Sequence, residues 1–178
     1  FIQFLAFNLI YISLASAVFI IWQIIPILSL SIFLIISGYH FSEDWDSYHI
    51  NKLKKLSLGF SVINLPILFN THLVEEIYFF ITSSNYVYNF SLFQVTISYL
   101  NLLLLFYVLL SKPLSLNILL QIILLIFSAY ILDPILFFIC YFCFFHSFKN
   151  FKESKKLLFN VNKRIITFAT LINTFLSV

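Results

Sequence analysis

Two apolar runs, Ile2–Trp22 and Gln23–Phe41, follow one another directly, and no Asp, Glu, Lys or Arg occurs before Glu43. A helix needs about 20 apolar residues to cross the hydrocarbon core of a bilayer. Each run therefore suffices for one crossing, with Pro26 tolerated in a first helical turn. The remainder agrees, since only 10% of the 178 residues are charged, 62% are hydrophobic and the mean hydropathy is +1.03. A soluble domain carries roughly 25% charged residues, so this composition cannot build a water-facing surface. The expected fold is all-α, a polytopic transmembrane helical bundle.

Further spans are expected at Leu56–Asn70, interrupted near Leu65-Pro66, and at Tyr88–Leu110, Leu114–Leu132 and the short Pro134–Phe148. Thr71–Tyr86, with Glu75 and Glu76, reads as an interfacial helix and turn. With the final run Ile165–Val178 this makes about six to seven membrane segments. Residues 1–178 read as a single transmembrane domain with no internal repeat. Its first residue is Phe1, and both ends fall inside apolar runs, so the expectation is a piece truncated at both ends of a longer protein.

Charge sets the orientation. Alternating the spans puts segments 42–55, 111–113 and 149–164 on one face, and these hold all ten basic residues, from Lys52 to Arg164. The opposite face holds Glu75, Glu76 and Asp133 and no cation. By the positive-inside rule the basic face is cytoplasmic. Lysines gathered in loops mark membrane topology, not nucleic-acid binding.

That topology brings His40 and His146, distant in sequence, to the same side at the ends of two apolar runs. Imidazole in hydrocarbon is costly unless paired, wetted or bound to metal. Two at one depth suggest a metal centre within the bundle. At α-helical spacing, Ile139, Cys143, His146 and Asn150 share one face. Cys140-x-x-Cys143-x-x-His146 has zinc-like spacing, although both cysteines fit equally as small packing residues. His40 precedes Ser42-Glu43-Asp44-Trp45-Asp46, where Glu43 can fix the imidazole tautomer and Trp45 is expected to anchor at the interface. His49 reads as a solvated loop residue and His72 falls near the opposite face. Aromatic residues make up 20% of the chain. They fit either a ring-lined wall for an extended apolar ligand or simple composition bias. No Ser-His-Asp set, glycine-rich phosphate loop or HExxH is present.

The segments Ser37-Gly38-Tyr39-His40-Phe41-Ser42-Glu43-Asp44-Trp45 and Tyr141-Phe142-Cys143-Phe144-Phe145-His146-Ser147-Phe148-Lys149-Asn150, in that order, resemble the Brp/Blh family of membrane β-carotene 15,15′-dioxygenases. Members carry patterns like S-A-x-H-F-G-E-x-D-W and Y-F-x-x-W-H-S-x-R-H, with a G…P-x-L-F stretch between them. Here that stretch is matched by Gly59 and Leu65-Pro66-Ile67-Leu68-Phe69. The similarity runs over nearly the whole chain. The resemblance implies an Fe(2+) enzyme that splits the central double bond of β-carotene with O2 to give retinal for a microbial rhodopsin, in the cell inner membrane. It implies His40 and His146 as metal ligands and Glu43 as a neighbour of the metal. Tyr141, Phe144 and Phe145 are candidates for the substrate channel by position.

Departures accompany the match. The family's N-terminal H-G-x-x-D is absent, Ser42 replaces a glycine, and Asn70 stands where members commonly carry a histidine. The fourth ligand position falls on Asn150, whose amide oxygen suits iron poorly. A non-catalytic homologue that binds carotenoid or retinal is the alternative. A small transporter, with His40, Asn64 and Asn101 along a polar path, would be expected to show repeat symmetry, and none is visible.

Overall fold

The computed structural model describes residues 2–48, 50–111, 115–147 and 149. His49, Lys112, Asn150, most of the segment 149–164 and the run Ile165–Val178 lie outside the described residues. By contact the chain divides into two compact units, Phe1–Phe138 and Ile139–Val178.

The first unit is a helical bundle. Its elements are α1 (Ile2–Ile24), α2 (Pro26–Ser42), a 3₁₀ turn (Glu43–Tyr48), α3 (Lys52–Phe69), α4 (Thr71–Thr82), α5 (Val87–Ser111) and α6 (Leu116–Ile131). Helix α7 (Pro134–Cys140) leads into a π-helical segment, Tyr141–His146. No strand occurs among the described residues. Among the described residues three helices are long and apolar enough to cross a membrane, or four if the bent pair α3–α4 counts as one span. Helix α6 and the Pro134–His146 segment are apolar but shorter.

Burial runs opposite to hydrophobicity, as membrane solvation demands. The uncharged, mostly apolar stretch Ala6–Ile24 of α1 has no buried residue. The most enclosed helix is α3, which carries Ser57, Gly59, Ser61 and Asn64 on buried positions and packs chiefly against α2 and α5. Lipid solvates Leu and Phe as well as a protein interior does, so helix interfaces gain small and polar residues beside the apolar ones. Helix α6 buries a single stripe, Ile118, Ile122, Leu125 and Ala129, at intervals of four, three and four. That is the one-sided pattern of a peripheral helix.

The two glycines of the chain meet at one place. A Cβ on Gly59 of α3 would lie 2.4 Å from Gly38 O and 2.4 Å from Ser42 N of α2. Backbone touches backbone at this crossing. Asn101 of α5 ties the other side of α3, its amide donating to Ser61 Oγ at 3.0 Å and to Ser57 O at 3.3 Å.

Helix α3 passes through Pro66 and ends at Phe69, three residues past the interruption expected at Leu65-Pro66. Proline clashes with the turn before it, yet its own carbonyl still accepts from Asn70 N at 2.9 Å, so the last turn closes normally. The break falls at Asn70, where α4 departs at 107°. Thr71 Oγ1 donates to Ile67 O at 2.7 Å there. A broken helix must satisfy its freed carbonyls in this way where water is scarce.

Candidate functional site

The Gly38–Gly59 contact fixes the last turn of α2, which carries His40. Gly38, Phe41 and Ser42 point inward and are buried, whereas Tyr39 and His40 are turned outward. Ser42 Oγ donates to Tyr39 O at 2.6 Å and closes the turn. Beyond it the 3₁₀ stretch is clamped at several points. Trp45 is wholly buried, Asp46 pairs with Lys55 of α3, and Gln121 of α6 donates to the Tyr48 hydroxyl at 2.6 Å. Trp45 is thus a core residue and not the interfacial anchor expected from its acidic neighbours. The tight 3₁₀ winding turns its indole inward, while Glu43 and Asp46 stay exposed.

On this platform His40 and Glu43 lie three residues apart on one face, with Nδ1 and Oε2 separated by 3.2 Å. Both side chains are about half exposed, at 54% each. A neutral imidazole that donates from Nδ1 carries its lone pair on Nε2, the arrangement that a carboxylate imposes on metal-binding histidines. The donor chemistry around His40 therefore fits a metal ligand. Among the described residues no three His, Cys, Asp or Glu side chains gather as a metal-binding group.

His146 belongs to the second unit and closes the π-helical segment, where it is buried at 7% exposure. The expected face of Ile139, Cys143, His146 and Asn150 does not form across the described part. Ile139 and Cys143 are exposed, and the buried positions are Tyr141 and His146, five apart. The cause is the pitch of the helix. Ser147 N bonds back to Phe142 O, five residues earlier, and such wide turns put residues i and i+5 on one side. Phe142 lies against the imidazole with ring centroids 5.0 Å apart. Of the channel candidates, Tyr141 and Phe145 stack at 5.4 Å, while Phe144 points away at 79% exposure. Cys140 and Cys143 are free thiols. Asn150 lies outside the described residues.

His72 pairs with Glu76 at 3.3 Å on the exposed face of α4. In the sequence, Gly38 and Gly59 entered only as motif matches and Asn64 only as a member of a possible polar path; the close approach at the two glycines and the buried amide of Gln94 were not anticipated. The glycines carried a readable signal, because they are the only two in the chain and small residues mark helix contacts in membranes.

No curated protein and no solved structure matches this chain. The family model described as Beta-carotene 15,15'-dioxygenase matches residues 1–174. That match takes in His40 with its Glu43 partner, both glycines of the α2–α3 crossing and the π-helical His146. By that match the chain belongs to the beta-carotene 15,15′-dioxygenase family.

Proposed function

We propose that this chain splits the central 15,15′ double bond of β-carotene with O2, and that His40 and His146 contribute to the iron(II) site at which it does so. The observation that carries this reading is the His40–Glu43 hydrogen bond on a clamped helix end, in a chain of this family. Iron(II) at these imidazoles would supply the activation of O2. One C=C bond breaks and two C=O bonds form, each retinal taking one oxygen atom. Glu43 holds the His40 tautomer and orients the ring. Buried packing at Trp45, Gly38 and Gly59 keeps that turn from drifting. Exposed apolar side chains along α1, α2 and α5 allow β-carotene to approach from the lipid, since its length is about the thickness of the hydrocarbon core. In this reading the basic segments 42–55, 111–113 and 149–164 face the cytoplasm across an inner membrane, and the retinal supplies a microbial rhodopsin.

Expression of the full-length gene in β-carotene-producing cells tests the proposal. Loss of colour with retinal formation is expected, and His40→Ala and His146→Ala should each abolish both retinal and iron retention. A second reading rests on Asn150, which stands at the family's fourth ligand position. If colour persists and pigment co-purifies with iron-loaded protein, the chain is a carotenoid-binding homologue and not an oxygenase.

A further inference from the structure

Within the first unit a cavity of about 100 Å³ lies between α2, α3 and α5. Ile35 and Ile97 on its rim are exposed apolar side chains, so in a bilayer it opens to lipid. Its lining is almost wholly apolar. Asn64 and Gln94 border it, but their unpaired atoms, Nδ2 and Oε1, are sealed from its space. Ser31, also on the wall, commits its proton to Ile27 O at 2.7 Å. The Phe60 ring lines the cavity, and the same ring lies 2.7 Å from where a Cβ on Gly38 would stand. Gly38 precedes His40 by two residues in one turn of α2. A single aromatic ring therefore belongs both to the cavity wall and to the packing of the turn that carries the imidazole.

Each property of this cavity excludes a class of occupant. A buried water needs about two to four polar partners, and the lining presents almost none, so the space stays dry. Dry apolar cavities of about 150 Å³ accept a benzene ring or a xenon atom. At about 100 Å³ the space is too small for the methylated six-membered ring of β-carotene, yet it has ample room for a diatomic gas. O2 is apolar, dissolves better in hydrocarbon than in water, and is consumed by the reaction proposed above. We propose that the cavity between α2, α3 and α5 is a docking site for O2 that enters from the lipid on its way to the His40 turn. Dispersion contact with the surrounding side chains holds the gas, and no polar group is needed. The choice of O2 among small apolar gases rests on the oxygenase reading, whereas the affinity of the cavity for such a gas does not.

Paramagnetic relaxation by dissolved O2 tests this on the purified full chain in detergent, with the isoleucine δ1 methyl groups isotopically labelled and nitrogen at equal pressure as the diamagnetic reference. Ile63 and Ile67 are buried on successive turns of α3, at 5% and 0% exposure, and of the two Ile63 borders the cavity. Under oxygen pressure the Ile63 methyl is expected to relax severalfold faster than the Ile67 methyl, approaching the exposed Ile10 and Ile20 of α1. Equally slow relaxation of Ile63 and Ile67 overturns the inference and marks the space as closed or filled by an acyl chain. Ile63→Phe extends a ring into the cavity and should raise the KM for O2 severalfold in retinal formation, with the KM for β-carotene unchanged. An unaltered KM for O2, or an equal rise for both substrates, also overturns it. The methyl comparison uses the unaltered chain and stands even where Ile63→Phe fails to fold. If Ile63 responds to O2 and no retinal forms, the gas site stands and the oxygenase reading fails. If retinal forms and Ile63 does not respond, the gas site alone fails.

Discussion

Replacing Gly59 with alanine probes the platform beneath His40 directly. The added Cβ would meet Gly38 O and Ser42 N at 2.4 Å and Ser42 Cα at 2.7 Å. Ordinary contact begins near 3.4 Å, so α2 and α3 must part by about 1 Å. All three atoms are backbone and cannot swing aside. A gap of that size forfeits up to about half of the dispersion well for atoms on both faces, and overpacking of this kind costs about 1–3 kcal/mol. Alanine recovers about 1 kcal/mol in helix propensity. With rigid backbone as the obstacle the upper figure applies, leaving a net loss of about 2 kcal/mol. For a chain of this length that corresponds to a Tm lower by roughly 4–8 °C, measurable by circular dichroism in detergent. Gly38→Ala provides the internal comparison. Its Cβ would meet the Phe60 ring first, at 2.7 Å, and an aromatic side chain can rotate away at lower cost. Gly59→Ala should therefore be the more damaging, in both Tm and retinal formation. An unchanged or raised Tm for Gly59→Ala, or a reversed order between the two, would refute the backbone-contact argument.

Other perturbations reach different parts of the structure. Glu43→Gln should lower iron affinity or retinal yield about 10–100-fold, the usual cost of altering a carboxylate behind a metal-bound histidine, with no change in Tm; full activity would remove Glu43 from the site. Asn101→Leu cuts the amide bonds to Ser57 and Ser61 and should destabilise by about 0.6 kcal/mol, up to about 1.7, read in the same melting assay. Ser83 ends α4 in the left-handed region, with φ 49° and ψ 31°, so Ser83→Gly should stabilise by about 1 kcal/mol. Asn150→His should increase iron retention per purified protein if position 150 supplies a ligand, and unaltered metal content would exclude it.

Much of the helical layout was legible because lipid imposes it. The ends of α1, α2, α5 and α6 fall within a few residues of the apolar boundaries, since a helix leaves hydrocarbon where its polar side chains begin. Pro66 misled because its steric effect reads as a break, whereas the chain turns four residues later at Asn70. Trp45 misled in the opposite direction: acidic neighbours suggest water, but one 3₁₀ turn separates buried from exposed positions. Nothing in Tyr141-Phe142-Cys143-Phe144-Phe145-His146 announces a wide turn, and α-helical counting put His146 beside Cys143 and Ile139. The imidazole–carboxylate pair at His40 was readable from spacing alone, because residues three apart meet on any α-helical face. The burial of Asn64 and Gln94 was not, since only packing α3 against α5 encloses them.

The π-helical segment ties the position of one imidazole to backbone winding. Tightening Tyr141–His146 to ordinary pitch would turn everything after it by one residue step, about 100°. Phe145 would then stand where His146 now does, so that a hydrocarbon ring replaced a nitrogen donor with no change of amino acid. A deletion of one residue within this stretch would have the same outcome, and length here is as stringent a requirement as the identity of the histidine.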